Sequence, residues 1–338
     1  MKHWCETAAI VDRVIALASA GRGAALATVV RIEGSSYRRP GAKFLIEDDG
    51  QTLGGVSGGC LEADVRDIGL RVIQTGAPKL LHYDTGADDR TVWGLGLGCN
   101  GSVDIFVQPA TEPRTLESLR EIRTRLEGES GFAIVTTIDG PDCGRIGIGD
   151  APARDARSHV HGRDSELEFT DILRPPPELI VCGAGDDARP LVAYASEAGF
   201  AVTIVDHREA FLAPSRFPSA KRRLHWRPDA GIGPLAAGPR TLVVIKTHSF
   251  AHDRDWLHGF LGTRAPYIGV LGPRARANEI LGLLGVDADK RVYAPVGLSL
   301  GADGPEQIAL SIVSELLAVL ARQQPGHLRE KELPIHAG

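Results

Sequence analysis

The stretch LIVCGAGDDARPL, residues 179–191, constrains this chain more than any other. An apolar strand runs directly into Gly183-Ala184-Gly185, and a helix-forming segment follows with Ala188 at the third small position, the spacing GxGxxA. The first glycine permits a tight turn and the second lets a phosphate approach the backbone. The small third residue lets helix and strand pack, and the helix N-terminus supplies N–H donors. Asp206 ends the next strand, AVTIVD, 23 positions after Gly183. An acid at about that spacing holds a ribose in dinucleotide folds.

The rest of the second half alternates in the same way. TLVVIK, PYIGVLG and VYAPV are short apolar strands, and DRDWLHGFLG and ARANEILGLLG are helical. A last helix opens at DGPEQ, capped by Asp303 or Gly304 with Pro305 in its first turn, and buries Ile308, Ile312, Leu316 and Leu320. Continuous apolar strands separated by helices indicate a parallel sheet covered on both faces. Residues 178–338 are therefore expected to form a Rossmann-like α/β domain.

Residues 1–150 differ. A helix from about Cys5 to Ser19, the strand AALATVVRI and a hairpin turning at Asp49-Gly50 precede the amphipathic helix LEADVRDIGLRVIQTG. The strands KLLHYDT and SVDIFVQP, the charged helix TLESLREIRTRLEGE, and the pair FAIVTTI and GRIGIG complete a mixed α+β domain. Between the halves, residues 151–177 turn to Ala, Arg, Asp, His and Ser and end in Pro175–Pro177, the composition of a linker.

Composition narrows the function classes. The chain has 338 residues, 43% hydrophobic and 24% charged, which suits two globular domains. Its net charge of −5 argues against a nucleic-acid surface. No apolar run reaches the ~18 residues of a membrane span, and acids interrupt the N-terminal apolar stretch, so the expected address is the cytoplasm. Cys5, Cys60, Cys99, Cys143 and Cys182 are odd in number and dispersed, which fits neither a disulfide framework nor a zinc site. No metal ligands are assigned. His248 and His252 lack the glutamate of a zinc-hydrolase motif, although His248 follows TLVVIK at the sheet edge where ligands bind in this fold.

Two glycine loops of the first half carry the other candidates. GSSYRRPGAKF sets Arg38, Arg39 and Lys43 among glycines and a proline. GGVSGGCLEADV places Cys60 at the start of a helix, whose N-terminus favours a thiolate. WGLGLGCNGSVDIF sets Cys99 in a second such loop. Tight turns with space-filling cysteines are the alternative for each loop taken singly.

These motifs together resemble the XdhC/CoxI family of molybdenum-hydroxylase maturation factors. The likeness runs through GSSYRRPGAKFLIEDDG, GGVSGGCLEA and GLGLGCNGSVDIFVQP, resumes at LIVCGAGDDARPL and VTIVDHREAF, and continues to the last helix. The resemblance implies a protein that binds the molybdenum cofactor, molybdopterin with its metal, and protects it while a cysteine desulfurase supplies a sulfur ligand. Such a protein delivers the cofactor to an apo xanthine dehydrogenase-type hydroxylase, needs no turnover of its own, and works as a homodimer. It further implies that Cys60 and Cys99 lie near the cofactor in loops shaped by Gly58, Gly59, Gly98 and Gly101. Gly183 and Gly185 form the Rossmann turn. Arg38 or Arg39 is a sensible partner of the pterin phosphate, an anion. The family commonly has histidine after the second Rossmann glycine, where this chain has Asp186. The rival expectation is an NAD(P)-dependent oxidoreductase, with Gly183, Gly185 and Asp206 holding the nucleotide and the cysteines idle. A fold-only regulator that binds neither is the third.

Overall fold

The structure is a computed structural model, and it describes residues 2–34, 37–84, 101–151, 156–163, 165–286 and 289–330. The chain divides into two compact units, Lys2–Pro175 and Pro176–His327.

In the first unit, β1 (Ala24–Gly34) is the centre of an antiparallel sheet ordered β3-β2-β1-β5-β4. Its other strands are β2 (Lys43–Glu47), β3 (Thr52–Gly54), β4 (Lys79–Asp84) and β5 (Gly101–Pro109). Helix α2 (Glu62–Thr75) lays Val65, Ile68 and Val72 on one face of this sheet, against Ala25, Ala27 and Ile46. Helices α1 (Lys2–Ser19) and α3 (Pro113–Glu127) cover Leu26 and Leu45, joined by Phe132, Ile134 and Leu173 of a second sheet. The helix, hairpin and strand pairs expected between residues 1 and 150 are all present.

The second sheet departs from expectation. It is antiparallel, ordered β7-β6-β9-β8, from β6 (Phe132–Asp139), β7 (Ile146–Asp150), β8 (His159–Arg163) and β9 (Glu166–Leu173). Residues 151–177 are thus not a linker throughout, because β8 and β9 lie within them and β9 pairs with β6 from Phe132↔Leu173 to Asp139↔Leu167. The strand is hidden in the sequence because its buried positions include Glu168, Thr170 and Asp171 beside Phe169, Ile172 and Leu173. The polar ones are held by partners that sequence spacing does not reveal. The boundary between the units falls inside the proline run, between Pro175 and Pro176.

The second unit is a six-stranded sheet ordered β12-β11-β10-β13-β14-β15, parallel at every pairing. Its strands are β10 (Glu178–Cys182), β11 (Ala201–Asp206), β12 (Arg222–His225), β13 (Thr241–Ile245), β14 (Tyr267–Val270) and β15 (Val292–Tyr293). This is the doubly wound Rossmann order, with its switch point between β10 and β13. Helices α4 (Ala188–Glu197) and α7 (Pro305–Ala321) pack Leu191, Val192, Ile312 and Leu316 on one face. Helices α5 (Phe250–Leu261) and α6 (Arg274–Leu283) pack Trp256, Leu257, Phe260 and Ile280 on the other. Among the described residues, no helix is long and apolar enough to cross a membrane.

Candidate functional site

The loop before α2 is fixed by one hydroxyl and one carboxylate. Ser57 Oγ accepts the N–H groups of Gly59, Cys60 and Leu61 at 3.1, 3.0 and 3.1 Å and donates to Glu62 Oε2. Glu62 Oε1 accepts the N–H groups of Val56 and Ser57 at 3.1 and 2.8 Å. Burial pushes the Glu62 carboxyl up, but the Ser57 hydroxyl and these N–H groups outweigh it and hold it below the usual range. Cys60 is free and half-buried. The N–H donors expected to favour its thiolate are already taken by Ser57, and a carboxylate stands two residues on. The loop therefore holds the thiol in place through its backbone. Gly59, at φ +114°, sits where an L side chain is strained. A Cβ on Gly58 would meet the Tyr37 ring at 3.6 Å, so the RRPGAK and GGC loops are neighbours.

The basic loop is used largely within the protein. Arg38 is ion-paired with Glu6 of α1. Lys43, expected as an anion partner, is buried and donates to Asp171 Oδ2 of β9 at 2.5 Å and to the Gly41 carbonyl at 3.0 Å. Asp171 also meets His3 Nε2 at 3.0 Å and accepts from Ser158 Oγ at 3.1 Å. Burial alone would raise the Asp171 carboxyl, yet Lys43 and His3 hold it well below the usual carboxylate range. Gly41 has no room for a side chain, since a Cβ there would lie 2.5 Å from Asp171 Oδ1. Arg39 is exposed. Gly101 is the first residue of β5, packed so closely on the Glu33 carbonyl that no Cβ fits. Gly98 and Cys99 lie outside the described residues.

In the second unit, Gly183 turns at φ +112°, and a Cβ there would lie 2.5 Å from the Lys246 carbonyl oxygen. Only glycine fits. Asp206, expected to face a ribose, is buried and fully engaged by the protein. Its carboxylate accepts Ala184 N–H at 2.7 Å, Arg208 N–H at 2.8 Å, and the Arg208 guanidinium at 2.9 Å through both Nε and Nη2. Burial raises its carboxyl and these bonds more than reverse that. Asp206 thus tethers the glycine turn to the end of β11.

The sheet's carboxyl edge at the switch point carries a further group that the sequence did not single out. Lys246, directly after β13, is 2% exposed, and its Nζ stands 2.7 Å from Asp187 Oδ2, an ion pair without the alignment of a hydrogen bond. His248, in the left-handed region at φ +59°, places Nε2 at 2.8 Å from the same oxygen. Burial lowers the Lys246 ammonium and Asp187 opposes this. Burial raises the Asp187 carboxyl, but Lys246 and then His248 draw it below its usual range. The N–H groups of Gly185, Asp186 and Asp187 meet no acceptor among the described residues. Asp186 is exposed and paired to Arg216 at 3.1 Å, so its charge is answered away from the turn. A lysine ending an apolar strand was the available signal, and it is a weak one. Among the described residues no group of three His, Cys, Asp or Glu side chains is placed to hold a metal.

A Rossmann unit with a charged switch point, preceded by a two-sheet unit with glycine-cysteine loops, defines the class. Family comparison agrees at both ends: the XdhC and CoxI family matches residues 17–84, and the XdhC Rossmann domain matches residues 179–316. A Bacillus subtilis protein, named as a probable xanthine dehydrogenase subunit, is 32% identical, covering 88% of this chain and 94% of its own length. The Escherichia coli molybdenum cofactor insertion chaperone PaoD is 24% identical over 90% of this chain and 86% of its own. The crystal structure of a xanthine dehydrogenase from Bacillus halodurans matches with a TM-score of 0.79 at 29% identity, over 95% of this chain and 98% of that one. The chain belongs to the XdhC/CoxI family.

Proposed function

We propose that this chain holds the molybdenum cofactor as cargo and inserts it into an apo molybdenum hydroxylase of the xanthine dehydrogenase type. The observation that carries this is the donor set at the switch point. A buried ammonium, Lys246, answered by Asp187, and the N–H groups of Gly185 to Asp187, which meet no acceptor among the described residues, lie at the carboxyl edge of the sheet, and such donors suit a phosphate-bearing molecule. The pterin of the cofactor carries a phosphate monoester. The name of the PaoD relative supports insertion, and the name of the Bacillus subtilis relative supports a xanthine dehydrogenase-type recipient. Cys60, held by Ser57 and Glu62, is the candidate to meet a sulfur ligand, and Cys99 is added to it by the family resemblance alone. Gly58 and Gly59 shape the loop that carries Cys60, Gly101 opens β5, and Arg38 and Arg39 belong to the neighbouring loop, whereas Gly98 is a candidate by the family resemblance alone. A cysteine desulfurase supplies the sulfur ligand in this scheme, and two copies of the chain act together.

The engaged Asp206 speaks against the oxidoreductase alternative, because a ribose hydroxyl would have to compete with Arg208 and two backbone N–H groups. That alternative requires micromolar NAD or NADP binding, weakened by Asp206→Ala and indifferent to both cysteines. The cargo proposal is tested by pterin content. The chain is purified anaerobically from hosts with and without an intact molybdopterin pathway, oxidised, and its released fluorescent pterin quantified. Near-stoichiometric pterin from the competent host alone is expected, reduced in Cys60→Ala. Absence of pterin even after cofactor is added in vitro contradicts the proposal.

A further inference from the structure

The switch point of the second unit holds a cavity of about 110 Å³. Leu191, Leu271, Pro305 and Ile308 give it apolar walls, and Asp187 and Lys246 are its charged lining. The Lys246 side chain is 2% exposed, and its Nζ is paired with Asp187 Oδ2 at 2.7 Å. The N-termini of α4 and α7 border the same cavity, through Asp187 and through Gly304-Pro305, so their dipoles add positive potential to that of the ammonium. The resident anion is the Asp187 carboxylate. Its side chain is 28% exposed and lies between the buried Lys246 and the exposed His248.

Gly185 shows what this carboxylate displaces. A Cβ on Gly185 would lie 2.6 Å from Asp187 Oδ1. The second glycine of such a turn leaves space for a phosphate against the backbone, and here that space is filled by the protein's own carboxylate. A charged group buried beside one partner and open to solvent on its other side is free to leave that partner, because His248 already holds the same oxygen and water completes its shell.

We propose that Asp187 is an exchangeable internal anion occupying the seat of a ligand's phosphate group: a phosphate monoester binds Lys246 and the Gly185–Asp187 N–H groups by displacing the Asp187 carboxylate from Lys246, leaving it to His248 and solvent. This rests on the cargo proposal only for the identity of the molecule that carries the phosphate. The seat makes loading an anion exchange, and the returning carboxylate favours release.

The test titrates the full-length protein with inorganic phosphate, and separately with AMP, at pH 6.5. Each titration is repeated at pH 5.5, because burial lowers the Lys246 ammonium and Asp187→Asn removes the carboxylate that opposes this, so a rise in affinity seen only at the lower pH still counts as the expected result. Calorimetry reads the affinity, and circular dichroism confirms that each variant is folded. Asp187→Asn keeps the shape and removes the competing charge, so phosphate affinity rises about tenfold. Lys246→Met, which keeps the aliphatic stem, abolishes phosphate binding in both the native and the Asp187→Asn backgrounds, and Lys246→Gln serves if the methionine variant does not fold. Unchanged or weaker phosphate binding in Asp187→Asn at both pH values overturns the exchange. Phosphate binding that survives loss of Lys246, or none in any variant, overturns the seat. Pterin content measured on the same variants separates the two proposals. Native pterin loading with no phosphate response defeats the seat alone. AMP binding far tighter than phosphate, with no pterin loaded, supports the seat and defeats the cargo proposal.

Discussion

Single residues decide most of what is chemical here, and several act inward. Lys43 lies in a basic loop that invites an anion from outside, yet its partner is Asp171, 128 residues away. A pairing of that range leaves no trace in local sequence. Lys43→Met strands a buried carboxylate, and its cost is expected at about 3–5 kcal/mol near neutral pH in denaturant unfolding. The sign of its pH dependence follows from Asp171. Its folded value lies below the unfolded ~3.9, so its contribution is present above about pH 4 and fades as pH falls through the folded value. The gap between the native protein and Lys43→Met should therefore narrow as pH is lowered. A gap that widens would contradict this role for the pair. Asp206 was legible by position, but its closure by Arg208 was not, because a neighbouring arginine pairs as readily with a ligand as with the acid. Lys246 was missed for a related reason: one lysine after an apolar strand is ordinary until the topology places it at the switch point.

At the scale of elements, periodicity carried further. The helices α1, α2, α3 and α7 and the pairs β1–β2 and β6–β7 follow from apolar spacing and turn residues that act locally. The start of α2 shows how much a local device can settle. Ser57 serves three N–H groups, and Glu62 locks it from the first turn. Ser57→Ala is expected to lower stability by about 1 kcal/mol and to speed alkylation of Cys60, with Ser57→Thr close to native in both. An unchanged Cys60 alkylation rate in Ser57→Ala would show that the hydroxyl does not position the thiol. Strand β9 was the failure at this scale. Its buried acids read as solvent-exposed, and only their partners Lys43, His3, Arg145 and His161 explain why they are inside.

For the whole molecule, the Rossmann half was legible because its strands are uniformly apolar and its turn is stereochemically demanding. Gly183 cannot be replaced at φ +112° against the Lys246 carbonyl without moving the backbone. The first half was legible as a list of elements, and its division into two antiparallel sheets was not, since antiparallel pairing depends on long-range register. Family membership, shown at both ends of the chain, joins the halves into one function more firmly than any single residue does. The most direct measurement is transfer. Chain loaded with cofactor is mixed anaerobically with an apo xanthine dehydrogenase-type hydroxylase, and hydroxylase activity and protein-bound pterin are followed together. Activity should rise in step with the loss of pterin from the chain, and faster than with the same amount of free cofactor. Pterin that stays on the chain, or activation no faster than with free cofactor, would contradict the assignment of this protein as an insertion factor.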